Sequence, residues 1–215
     1  MSTSQAEGLY IKPAADEVWS EGEPRAKAAL KMGAASTRPP VLFLLTVRVF
    51  SILQSVTNAM EFVSPTIGKL SFEQMFGALV GYMAEEPDQH YHLIIGTDSL
   101  LSDQTCFVTA IIVHRVGHGG RYFYRKMFNR KMDSLRQRIL FETSLSLETA
   151  GLVSAELARN GHSELPLEIH LDVGPNGDTK RIVREVIGMV NGSGYTAVTK
   201  PDAYGASKVA DKHSK

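Results

Sequence analysis

Three acidic residues, Asp98, Glu142 and Asp172, sit in sequence surroundings that bring a carboxylate to the end of a buried sheet or to the helix that covers it. Asp98 closes the run His92-Leu93-Ile94-Ile95-Gly96-Thr97-Asp98-Ser99, whose apolar body suits a central strand covered on both faces. Such a strand has no use for a carboxylate in its body. At its carboxyl end, a carboxylate faces the cleft where ligands of open α/β sheets gather. The plain alternative is a turn capped by Asp98 through Ser99. Asp172 ends a second run, in which Leu167, Ile169, Leu171 and Val173 share one face and Glu168, His170 and Asp172 the other. Glu142 falls on the helical stripe of Leu135, Ile139, Leu145, Ser146, Thr149 and Val153, the face that packs on a sheet. Glu148, about a third of a turn away, is the alternative. A fourth acid comes from Asp202 or Asp211, whose plain readings are a helix N-terminal acid and an exposed helix end.

Three or four converging acids repel one another and raise their own pKa values. A divalent cation removes that penalty, and all-oxygen ligation favours Mg²⁺ or Mn²⁺ over zinc. Two such ions activate water and stabilise the leaving oxygen in phosphodiester cleavage.

The elements that must position these acids follow from patterning. Ser71-Phe72-Glu73-Gln74 is a capping box that opens a helix to about Glu85, before Pro87. Three strands are expected next, Tyr91 to Thr97, Thr105 to Arg115 and Arg121 to Met127, joined as an antiparallel meander through the Gly117-His118-Gly119-Gly120 turn. A long helix from Ser134 to Asn160, a strand from Leu167 to Val173, a helix from Thr179 to Asn191, a strand from Tyr195 to Lys200 and a short helix from Ala203 to Asp211 complete the pattern. Right-handed crossovers then give a mixed five-stranded sheet in the order 3-2-1-4-5, with strand 2 antiparallel and helices flanking it. Asp98 and Asp172 end adjacent parallel strands in that sheet.

The succession of Asp on the first strand, Glu on the long helix, Asp on the fourth strand and Asp near the C-terminus resembles the ribonuclease H-like superfamily. Ile95-Gly96-Thr97-Asp98-Ser99, Phe107-Val108-Thr109-Ala110, Ser134-Leu135-Arg136-Gln137, Glu142-Thr143-Ser144-Leu145-Ser146, Glu168-Ile169-His170-Leu171-Asp172 and Lys200-Pro201-Asp202-Ala203-Tyr204-Gly205-Ala206-Ser207 are similar to the bacterial YkuK-type ribonuclease H-like family. The resemblance covers residues 66 to 215 and implies an α/β, ribonuclease H-like fold. Through the wider superfamily it implies a metal-dependent nuclease that cleaves RNA, DNA or a hybrid to leave a 3′ hydroxyl and a 5′ phosphate. Asp98, Glu142 and Asp172 would hold the metals with Asp211 or Asp202. The superfamily's last acid lies on or before the C-terminal helix, which Asp211 matches better.

Arg121, Arg125, Lys126, Arg130, Lys131, Arg136 and Arg138 cluster on the third strand and the helix entry, with Tyr122, Phe123, Tyr124 and Phe128 interleaved. They read either as a rim for nucleic-acid phosphates or as cations protecting an edge strand. Lys200, Lys208, Lys212 and Lys215 extend the rim around the last acid. His170 reads as a proton-transfer aid or as a packed, hydrogen-bonded residue, and His114 as structural. Gly174-Pro175-Asn176-Gly177 is a helix-starting turn or an anion site.

Lys and Arg balance Asp and Glu at 23 each, so net charge selects no partner and any nucleic-acid surface must come from local clustering. The single cysteine, Cys106, rules out an internal disulfide framework and fits a reducing, cytoplasmic compartment; its apolar surroundings make it a packing residue. Residues 1–59 form an N-terminal extension, disordered or weakly helical, ahead of a domain at 60–215, with Met60 a natural start. Val41 to Val47 is too short to span a bilayer and ill-placed for a signal peptide, so no membrane partner is expected. A binding module that kept the fold without turnover is the alternative function. Gly96-Thr97-Asp98-Ser99 superficially echoes an actin-like or sugar-kinase phosphate loop, but those proteins need two related domains and this chain has room for one.

Overall fold

The computed structural model describes residues 60–175, 177–203 and 205–214. The N-terminal extension, the apolar run Val41 to Val47, and Asn176, Tyr204 and Lys215 lie outside them.

Among the described residues, seven strands form one sheet. The five expected strands are β3 (Tyr91–Leu101), β4 (Gln104–Arg115), β5 (Gly119–Arg130), β6 (Leu167–Leu171) and β7 (Thr196–Thr199). They lie in the order β5-β4-β3-β6-β7, which is the expected 3-2-1-4-5. Two further strands, β1 (Glu61–Ser64) and β2 (Gly68–Ser71), form a hairpin outside β5 and bring the count to seven. They escape a pattern reading because each has only four residues and few buried apolar side chains, chiefly Phe62 and Leu70. Gly68 supplies the positive φ of +99° that the hairpin turn requires. β5 is therefore not the sheet edge: β1 pairs with it at Val63 and Tyr124.

β3 runs four residues past its expected end because its antiparallel pairing with β4 continues to Leu101 and Thr105. Its parallel pairing with β6 stops at Gly96 and His170. Beyond that point β3 has a strand on one side only, and this opening places the site.

Helix α1 (Phe72–Ala84) begins on the expected capping box: Ser71 Oγ accepts from the Gln74 amide at 3.2 Å, and Gln74 Oε1 accepts from the Ser71 amide at 2.9 Å. Helix α2 (Leu135–Arg159) is capped by Ser134 and followed by Gly161 at φ +78°. The helix expected from Thr179 starts as a 3₁₀ turn, Gly177–Arg181, and continues as α3 (Val183–Gly192). α4 (Gly205–Ser214) is the last element.

The sheet's two faces are unequal. Leu93, Ile95, Ile111, Val113, Phe123 and Ile169 join α1, α2 and α3 in the main core. On the other face Ile94 and Ala110 pack with Ile112 and with Val209 of α4. Among the described residues, no helix is long and apolar enough to cross a membrane.

Candidate carboxylate site

Strand register brings the first two acids together. Continuing the parallel pairing of Gly96 with His170 by two residues sets Asp98 opposite Asp172, just where β6 ends. Asp98, Asp172 and Asp211 line an open cleft of about 870 Å³, whose walls include Lys200, Lys208, Thr179 and Ala203. Asp211 arrives on α4. Asp202 does not line the cleft; it is exposed in the turn before α4, with its amide donating to the Thr199 carbonyl at 3.0 Å. Of the two candidates for the fourth acid, Asp211 is the one brought to the others.

Glu142 reaches the group from α2. Its Oε1 accepts from Ser99 Oγ at 2.6 Å, and Arg138, one helical turn earlier, donates to the same Ser99 oxygen at 3.4 Å. Ser99 also donates its amide to Asp98 Oδ1 at 2.7 Å, so one residue ties both acids together. One turn further along α2, Ser146 shares its hydroxyl between the Glu142 carbonyl at 3.0 Å and Thr97 Oγ1 at 2.9 Å. Thr97 bonds in turn to Thr109 at 3.0 Å. This buried hydroxyl chain fixes α2 against β3 and β4 beside the acids. Glu148, the alternative to Glu142, is exposed and paired with Arg125 at 3.4 Å.

The electrostatics are those of crowded acids. Burial, with the charges of Asp172 and Asp211, pushes Asp98 up to about 6 against the Ser99 amide and Lys200. Burial, with the charges of Asp98 and Asp172, pushes Glu142 up to about 7 against Ser99 and Arg138. Lys200 Nζ lies 2.7 Å from Asp172 Oδ1. That oxygen is buried and has no aligned hydrogen bond among the described residues, so the ammonium approaches it as an off-axis point charge.

The fit to divalent metal can be tested on these atoms. Hard carboxylate oxygens, two of them on groups raised by burial and then by neighbouring acids, and a buried Asp172 oxygen without a directed donor suit Mg²⁺ or Mn²⁺. Among the described residues, no three His, Cys, Asp or Glu side chains are gathered closely enough to hold an ion as they stand. The donor set fits; a cation would have to draw it together.

The expected basic rim divides. Arg121 is five residues back along β5 from the row of Asp98, where it pairs with Glu85 at 2.9 Å and lies over the Tyr82 ring at 4.7 Å. Arg125 is buried, on the face opposite the cleft, against Glu148. The structure brings neither to the acids. Arg136 pairs with Glu185 at 2.7 Å. Lys126 is exposed and shares its row and face with Asp98 through Val108. Lys200 and Lys208 are in the cleft wall.

His170 is buried, with Nε2 3.3 Å from Glu168 Oε2, and burial lowers its pKa against the pull of that carboxylate. His114 bonds to His92 at 2.8 Å. His170 Nδ1 is buried and has no hydrogen bond among the described residues. Cys106 is buried, and burial raises its thiol. In the Gly174 turn the Gly174 amide donates to Thr179 Oγ1 at 3.2 Å, which closes the loop on itself. The sequence reading missed Ser99 as a link between acids. The available signal was its place two residues from Thr97, on the face that α2 covers.

A mixed sheet with acids at the end of its central strand, on the covering helix and on a last helix defines a ribonuclease H-like protein. The chain matches the ribonuclease H-like family over residues 74–215, and it belongs to that family. It is 32% identical over 172 residues to the uncharacterised protein YkuK of Bacillus subtilis (strain 168), covering 74% of this chain and 100% of that protein. No solved structure matches it.

Proposed function

We propose that this protein is a divalent-metal-dependent nuclease that hydrolyses phosphodiester bonds of RNA, DNA or a hybrid. The observation that carries this reading is a cleft lined by Asp98, Asp172 and Asp211, with Glu142 joined to Asp98 through Ser99 and two of the carboxyls raised, chiefly by burial, to about 6 and about 7. Isolated acids on a solvated surface would not be shifted this way.

In this reading Asp98, Glu142, Asp172 and Asp211 would hold Mg²⁺ or Mn²⁺, and the metal would supply an activated water and stabilisation of the leaving oxygen. Ser99 and Arg138 hold the Glu142 carboxyl in place. Without metal the Glu142 carboxyl, raised to about 7, holds a proton near neutral pH that a bound cation would displace. Lys200 and Lys208 offer cations to a phosphate in the cleft, and Lys126 extends them along the sheet face towards the exposed ring of Phe128. The lone buried Cys106 fits a cytoplasmic location.

One observation favours a second reading, a nucleic-acid-binding or partner-binding module without turnover: among the described residues the acids are not gathered closely enough to hold an ion unaided. A panel of end-labelled RNA, DNA and hybrid duplexes with Mg²⁺, Mn²⁺ or chelator, run beside Asp98→Asn, decides between them. Metal-dependent cleavage lost in Asp98→Asn supports the nuclease; binding without cleavage in every lane supports the module.

A further inference from the structure

We infer that Lys200 is an exchangeable counter-ion, holding Asp172 until a divalent cation displaces it. The inference rests on the metal-binding reading of the cleft and adds a competitor to it.

The base of Lys200 is fixed and its tip is not. Its amide donates to the Val173 carbonyl at 2.9 Å, which seats the residue beside Asp172 by backbone pairing rather than by the ion pair. Its side chain is 54% exposed, whereas that of Asp172 is 26% exposed. The Nζ–Oδ1 distance of 2.7 Å lacks hydrogen-bond alignment, so the ammonium supplies charge without directed bonding. A lysine ammonium is a compact, strongly hydrated charge on a flexible stem, more easily released than a bidentate guanidinium. Swinging it into solvent breaks an ion pair whose lysine is half exposed, and the incoming cation takes over the buried Asp172 oxygen.

A cation that takes its place enters a cleft lined by three acids that it can draw together. Asp98, Asp172 and Asp211 line the same cleft, so a doubly charged ion gains more there than one ammonium does. An ammonium and a divalent ion on one carboxylate would repel each other, which makes their occupancies exclusive. Lys200 therefore lowers the protein's affinity for metal while neutralising the metal-free site. A lysine serving as a brace would do the reverse, holding Asp172 ready and raising metal affinity. The sign of one substitution separates the two roles.

The test is Mn²⁺ titration calorimetry on the full chain at one pH and ionic strength. Lys200→Met removes the charge at nearly constant stem, and Mn²⁺ should bind it about fivefold more tightly than wild type, the ratio expected from losing a weak ion pair. Lys200→Arg keeps the charge and should show no gain; it also serves if Lys200→Met folds poorly. Asp172→Asn should bind Mn²⁺ weakly whatever stands at position 200. Weaker Mn²⁺ binding by Lys200→Met overturns the exchange and makes Lys200 a brace, and equal binding overturns it with neither role, the metal reading intact in both cases. Absence of Mn²⁺ binding in wild type and Lys200→Met alike overturns both.

Discussion

Asp98 and Glu142 titrate far from the ordinary carboxylate range, and the direction of the shift has a consequence for stability. Their values of about 6 and about 7 lie above the ordinary 3.8 and 4.5, so the folded metal-free protein holds protons that the unfolded chain has released. The contribution is fully present below the ordinary values and is lost as pH rises through about 6 and about 7. Denaturant unfolding in chelator should therefore show stability falling between about pH 4 and pH 7, with a shallower fall in Glu142→Gln. A flat profile would mean that burial does not strain these groups. The cations carry a parallel prediction. Lys126→Ala should weaken binding of a labelled single-stranded oligonucleotide across sequences and lower the salt slope by about one, whereas Arg121→Ala should change neither. The cluster 121–138 was legible as basic. Its division was not, because Glu85, Glu148 and Glu185, which take up Arg121, Arg125 and Arg136, lie between 23 and 49 residues away in sequence. Ion-pair partners at such separations are set by tertiary geometry alone.

At the scale of elements, the central strand and the long helix could be read from the sequence because each carries a strong local signal. β3 has an unbroken apolar body, and α2 has a Ser134 cap, a stripe and a closing glycine. β1 and β2 have no such signal, and their place is fixed by pairing with each other and with β5. The extension of β3 to Leu101 was likewise hidden, since only β4 opposite it keeps the strand going. The join between α2 and the sheet is polar where it nears the site: Ser146, Thr97 and Thr109 are each no more than 5% exposed and are satisfied by one another. Ser146→Ala leaves Thr97 short of a donor and should cost about 1 to 3 kcal/mol in denaturant unfolding. The exposed Ser144, whose hydroxyl bonds only within α2, is the control, and Ser144→Ala should cost far less. Equal costs would show that the hydroxyl chain does not anchor the helix.

For the whole molecule, a domain beginning at Met60 remains our proposal, because the preceding residues lack sustained apolar periodicity. A chain starting at Met60 should melt as the full chain does; a large drop would show that residues before it belong to the core. A cation site formed by the acids can be read in whole-molecule stability without a known substrate. Thermal unfolding should be followed in chelator and in excess Mg²⁺ for wild type, Asp98→Asn and Asp103→Asn, the last an exposed loop residue after β3. Mg²⁺ should stabilise wild type and Asp103→Asn alike, by about 2.7 kcal/mol at roughly a hundredfold excess over the dissociation constant. Asp98→Asn, relieved of one like charge, should melt at or above wild type in chelator and gain much less from Mg²⁺. A full magnesium response in Asp98→Asn would contradict the account and leave Asp98 a β3 residue whose carboxylate only accepts from the Ser99 amide.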